Sequence, residues 1–466
     1  MKKRYLILAS VMTGMIMVPI DASMVNVILP TLTEVFHTDI STAQWVPVIY
    51  LLTVSSLLLF YGRLGDVIGY KKVFLYGLGG FIISSGLCGL APTMFWLIIS
   101  RAVQGITAGM MMAVPFAIIT ASFPPTELGR ALGIFAISIS AGLAIGPSLG
   151  GFLTGLFGWR FTFLINLPIG IVALIVGFKV IPSFELKRAK LDFWGALAAF
   201  VFMFSTIMII NRLQSDGMNM VTILALAGSI IGGVTFFIIE TKTPVPMLNL
   251  RLFHSATFSF ACLSSFFNFV SQYVMAFLTP FFLQRALHCG PEAVGKVMTA
   301  FPIAVIITAP LSGTLSDRPG TRLLSCIGGS ISCLGLLLMA LLPPSATPMD
   351  VALRLAIFGV GTGIFQSPNT SAAMSVVPRE HAGVASAIVA TVRNVGMICG
   401  IAIAGAVLHI FVDESVLGKH YLNHQEGALF LSGLRYAYFS GAFVAALTAI
   451  TSFVRSKQSL ETIKAP

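Results

Sequence analysis

The chain has 466 residues, of which 56% are hydrophobic and only 10% charged, and its formal net charge is +11. An average soluble domain carries roughly a quarter charged residues, so this composition excludes a soluble globular protein and points to a polytopic membrane protein. The basic excess would suit a nucleic-acid partner, but its placement along the chain, described below, makes one unnecessary.

The first element is MKKRYLILASVMTGMIMVPIDASMVNVILP. Lys2, Lys3 and Arg4 ahead of an apolar run, followed by small residues, outline a signal peptide. Apolar residues resume from Met24 to Leu29, however, and thirteen further apolar stretches follow, so residues 6–30 are predicted to stay as a span that carries Asp21 inside it. A bilayer core needs about 20 apolar residues per helix. On that measure further spans follow at 43–62, 73–91, 95–120, 130–153 and 161–181. The charged run Glu185 to Lys190 precedes spans at 193–212 and 220–239, and the remaining six lie at 255–283, 293–315, 323–342, 350–376, 384–411 and 430–454. Nineteen of the lysines and arginines fall at one set of span ends, six at the other and three (Arg101, Arg354, Arg393) within spans. Cytoplasmic loops carry the basic excess, which predicts both termini inside. The six cysteines show no metal-ligand spacing and read as small buried hydrophobes.

The chain repeats itself. GRLGD at Gly62 returns as GTLSD at Gly313, Arg101 with Pro115 returns as Arg354 with Pro368, and Gly142 with Gly146 returns as Gly396 with Gly400, at offsets of 251 to 254. The expected architecture is therefore all-α, with fourteen transmembrane helices. A six-helix half (1–182), an inserted two-helix segment with its linkers (183–250), and a second six-helix half with a cytoplasmic tail (251–466) follow one another. Parallel repeats of this kind build transporters with a midplane site between halves that rock to alternate access.

Several motifs carry chemistry. In GRLGDVIGYKK, Gly62 and Gly69 permit a tight turn, and Asp66 can accept hydrogen bonds from a helix N-terminus, forming a latch that Asp317 would repeat. These residues resemble the signature loop of the major facilitator superfamily, although the family's two arginines are here Val67 and Tyr70. LIISRAVQGITAG resembles the superfamily's fourth-helix motif, which implies a role in proton coupling for Arg101. An arginine in a span costs ~2.5–3.5 kcal/mol on insertion scales and should face a cavity or a counter-charge. GLAIGPSLGG (Gly142, Gly146, Pro147, Gly150, Gly151) resembles the fifth-helix motif of the antiporter branch and implies a hinge there. By physics alone it is a close-packing seam. WRFTFLINLPIG, PIDASMVNVILP and the two-span insertion resemble the fourteen-helix drug:proton antiporter subfamily, and the resemblance covers essentially the whole chain.

Asp21 is the one carboxylate well inside an apolar run, at a depth similar to that of Arg101. A carboxylate in low dielectric favours its protonated form and a nearby arginine favours the charged form, so alternating access can load and release a proton there. The equivalent position in the second half is Gln272. Asn26, Tyr50, Gln104, Asn268, Gln272, Tyr273, Gln366, Asn369, Arg393 and Asn394 either line the substrate cavity or bond between helices. The expected function is proton-coupled export of lipophilic, monovalent cationic or neutral drugs across a bacterial cytoplasmic membrane, by a monomer. It needs no cofactor beyond protons, no metal and no nucleic acid, and contains no catalytic constellation. An exporter of an anionic amphiphile or metabolite, motivated by Arg354 and Arg393, is the alternative. A membrane sensor that does not transport is the other.

Overall fold

The computed structural model describes residues 3–183, 193–215, 219–243, 250–315, 320–343, 345–378, 382–417 and 424–455. Apolar runs this long must satisfy their backbone internally, and in a bilayer a helix does so within one segment. The described residues are accordingly helical and contain no strand.

The first six long helices are α1 (Lys3–Val35), α2 (Trp45–Ile68), α3 (Tyr70–Gly89), α4 (Met94–Ala113), α5 (Pro125–Phe157) and α6 (Asn166–Val180). Beyond a break at Val114, Pro115–Ser122 continues α4. The inserted pair is α7 (Phe193–Ser215) and α8 (Met220–Lys242). The last six are α9 (Ala256–Phe281), α10 (Pro291–Met298, continued as Ala300–Leu315), α11 (Thr321–Ala340), α12 (Pro348–Ser375), α13 (Ala382–Phe411) and α14 (His424–Val454). Among the described residues, 12 helices are long and apolar enough to cross a membrane. The other two of the fourteen expected spans fall on α5 and α7, whose described apolar stretches, 141–157 and 193–206, are shorter.

Packing follows the repeat. In the first half α1 packs on α5 and α2 on α4; in the second, α9 packs on α13 and α10 on α12. Gly69 and Gly320, 251 residues apart, both adopt positive φ (99° and 83°), and the next residue opens α3 and α11 respectively. The duplicated loop thus uses one turn twice, with glycine where a Cβ would be strained. Helix α8 packs on α7, with Gly232 against the Phe202 backbone, and α7 in turn leans on both α2 and α13. Large apolar side chains such as Ile231 and Phe237 on α8, Phe178 on α6 and Phe443 on α14 lie exposed, as a lipid-facing belt requires.

The two halves meet at the end remote from the basic residues. Arg285 donates to Thr33 (3.2 Å), Thr299 to Ser148 (2.6 Å) and Gln284 to the Val27 carbonyl (3.3 Å). Ser41 and His409 also bond across this end.

Candidate functional site

Asp21 lies midway along α1, fully buried where α1 packs beside α4 and α6. Arg101 and Gln104, three residues apart on α4, share a face, and both reach the carboxylate. Arg101 Nη1 donates to Asp21 Oδ2, while Gln104 Nε2 and Asn166 Nδ2 donate to Oδ1 at 3.2 and 3.0 Å. Arg101 also donates to the Val46 carbonyl (3.2 Å) and to Gln104 Oε1 (2.6 Å). Ser85 Oγ accepts from Gln104 (2.7 Å) and Asn166 (3.3 Å). The guanidinium lies over the Tyr50 ring, 4.0 Å from its centroid, and Tyr50 donates to the Val18 carbonyl at 3.3 Å.

Removing two charges from water is expensive and is offset only where the pair is well bonded. Here four helices supply the bonds. Asp21 and Arg101, expected from sequence only to lie at similar depth, are in contact. Gln104 and Tyr50, expected either to line the substrate cavity or to bond between helices, both join this network, Gln104 from the α4 face that bears Arg101 and Tyr50 from α2. Sequence reasoning missed Asn166 and Ser85. The available signal for Asn166 was a lone amide within the apolar run NLPIGIVALIVG.

The α5 glycines form the seam against α1. A Cβ on Gly142 would stand 2.9 Å from Pro19, on Gly146 2.7 Å from the Ile20 carbonyl, and on Gly150 2.9 Å from the Met24 carbonyl, so the three contacts bracket Asp21. Pro147 is buried in the same stretch. Gly151 turns the other way. A Cβ there would come within 2.5 Å of Gly295 on α10, across the boundary between halves.

In the signature loop, Asp66 accepts a hydrogen bond from Tyr70 at 2.5 Å, so tyrosine serves as donor where the resembling family carries arginine. Gly69 supplies the turn, and nothing lies within 4 Å of a Cβ on Gly62. Asp317 lies outside the described residues.

The remaining candidates divide. Asn369 donates to the Ala261 carbonyl (2.9 Å) and accepts from Arg455 (3.1 Å), so it ties α12 to α9 and the residue that follows α14. Gln366 is half-buried on α12. Asn26, Asn268, Gln272, Tyr273 and Asn394 are buried, and each keeps a polar side-chain atom without a hydrogen-bond partner among the described residues. Arg393 is partly exposed on α13 above the Phe269 ring, with its centre 5.9 Å from the ring centroid.

Comparison with known proteins fits this architecture. The family model described as Major Facilitator Superfamily matches residues 11–401 and 260–465. The riboflavin transporter RibZ of Clostridioides difficile is 30% identical over 438 residues, covering 94% of each chain. The multidrug resistance protein Stp of Mycobacterium tuberculosis is 32% identical over 406 residues, covering 86% of this chain and 75% of that one. The crystal structure of a bacterial homolog of the human lysosomal transporter Spinster, in an inward-facing and unoccupied conformation, superposes with a TM-score of 0.69 at 17% identity, covering 97% of each chain. With a matching model along nearly its full length and relatives that are transporters, the chain belongs to the Major Facilitator Superfamily and is a multi-pass membrane transporter.

Proposed function

We propose that this transporter exports lipophilic compounds from the cytoplasm in exchange for protons, with Asp21 as the proton carrier. The observation that supports this reading is the buried network in which Asp21 receives Arg101, Gln104 and Asn166. The network suits a carboxylate. Protonating Asp21 removes its charge and weakens the pull on Arg101, which retains the Val46 carbonyl, Gln104 and the Tyr50 ring as partners. A change of partner at Asp21 is felt first by α1, and α5 rides on α1 through glycine contacts on either side of that residue. The same helix carries Gly151, which touches the second half at Gly295. Proton binding thereby acts on the boundary between halves through backbone packed too closely to slip.

With the basic ends in the cytoplasm of a bacterial cell, the halves touch at the outer side, the arrangement of a carrier that loads from within. Relatives named for multidrug resistance support export of drug-like compounds, and the riboflavin transporter supports a polar aromatic metabolite. One carboxylate serves either class at a stoichiometry of one proton.

The test is proton release from detergent-purified protein on adding a candidate compound, measured beside uphill efflux in cells. Asp21→Asn is expected to abolish both while leaving the protein monodisperse. A mutant that still releases protons and still drives uphill efflux overturns the assignment.

A further inference from the structure

Arg393 lies eleven residues into α13, about 16 Å along the helix at 1.5 Å per residue. It makes no hydrogen bond or ion pair with any described residue, and its Nε is buried without a partner. Arg101 and Arg354, the other arginines within spans, each hold several partners, although Nη2 of Arg101 is also buried without one among the described residues. Arg101 is held by Asp21, and Arg354 by the Leu338 and Asp350 carbonyls and the Asp350 carboxylate. An ionisable group within a membrane span that lacks an internal partner marks a place where a ligand supplies one.

Its surroundings specify that ligand. Phe269 lies beneath the guanidinium, and Tyr273, one turn along α9, has a hydroxyl that is buried and without a partner. Tyr273 lies on α9, which packs against α1 of the first half. On α1, the first-half helix packed against α9, Asn26 keeps both amide atoms unpartnered among the described residues, on the face that also carries Thr33, a contact of Arg285 in the second half. A planar guanidinium, a phenol hydroxyl and an amide fit a carboxylate bound through two oxygens, and the rings favour an aromatic body behind it.

We infer that Arg393, with Tyr273 and Phe269, forms the polar pole of the substrate site and takes the carboxylate of a lipophilic aromatic anion. This rests on the transport reading above and narrows it, from the monovalent cationic or neutral drug expected from sequence to the anionic alternative weighed beside it. Export of an anion against entry of a proton moves two charges per cycle in one direction, so an inside-negative potential drives it even without a pH gradient.

The test is equilibrium binding to the full chain in detergent, with no gradient, so failure of proton exchange does not affect the readout. The probes are 1-pyrenebutyrate, its methyl ester, and a pyrenyl trimethylammonium, followed by fluorescence anisotropy. The protein is expected to bind the carboxylate at least tenfold tighter than the other two. Arg393→Gln should reduce carboxylate affinity to that of the ester, with ester affinity unchanged as the check that the site persists. Tight binding of the ammonium, or a carboxylate preference that survives Arg393→Gln, overturns the inference. Should Arg393→Gln not purify, Arg393→Lys and Tyr273→Phe replace it: a several-fold loss confined to the carboxylate supports the inference, and an unchanged preference in both overturns it.

Discussion

The two halves share a repeat but treat their embedded charges differently. In the first half Arg101 is buried against Asp21, with Gln104, Ser85 and Asn166 completing the network. At the equivalent position in the second half, Arg354 sits near the start of α12, where it donates to the Leu338 and Asp350 carbonyls and lies 3.6 Å from the Asp350 carboxylate. Gln272 stands where the repeat would place a second Asp21, and Arg393, elsewhere in that half, has its Nε buried without a partner among the described residues. Duplication kept the helix arrangement and the turn at Gly69 and Gly320 while the chemistry diverged. One half buries an ion pair, and the other keeps an arginine whose Nε is buried without a partner among the described residues.

The contrast can be broken most directly at Arg101. Arg101→Ala leaves Asp21 charged and unpaired, and removing one member of a buried pair costs about 3–5 kcal/mol. Thermal unfolding should fall sharply and efflux should vanish. Combining Asp21→Asn with Arg101→Gln should recover most of the melting temperature without recovering substrate-induced proton release. That outcome would separate the network's structural part from its coupling part.

Gly151→Leu comes next. A side chain there would strike the Gly295 backbone, so the contact between halves at the end remote from the basic residues should fail to close. Efflux should be lost with folding intact, and cysteines introduced near Ser148 and Thr299 should label more quickly from outside. Unchanged labelling would count against the seam as the link between Asp21 and the second half.

Asn166→Leu removes one donor to the carboxylate. Hydrogen bonds between membrane helices average below 1 kcal/mol and reach about 1–2, so a modest drop in melting temperature and a slower proton release are expected. The smallest effect belongs to Arg354→Gln. Arg354 lies at a helix end with a half-exposed partner, where ion pairs contribute about 0–1 kcal/mol, and transport should continue near its normal rate. A severe transport defect in Arg354→Gln would erase the asymmetry between halves.

Much of the fold was legible because its signals are local. Length of apolar run and the side on which lysines lie are properties of short segments, and the repeat needs only comparison of one segment with another. Asp21 stood out for the same reason, as a carboxylate where apolar residues should be. The network around it was only partly legible. Gln104 follows Arg101 on one helix face, but Asn166 reaches Asp21 from α6, and Ser85 on α3 joins through Gln104 and Asn166, all more than sixty residues from Asp21. Asn369, expected either at the cavity or bonded between helices, is bonded between helices and braces Arg455; sequence left the choice open, since rotation of a helix about its axis cannot be read from hydropathy alone.

Sequence by itself therefore determined that this protein lies in a membrane, that it is built from a duplicated unit, and which few charges are out of place. Only the tertiary structure decided which of those charges are answered. Partners for a buried group come from other helices, and their approach depends on crossing geometry and on glycine seams that set backbone distance. That geometry gave Arg101 a carboxylate and gave Arg393 none among the described residues.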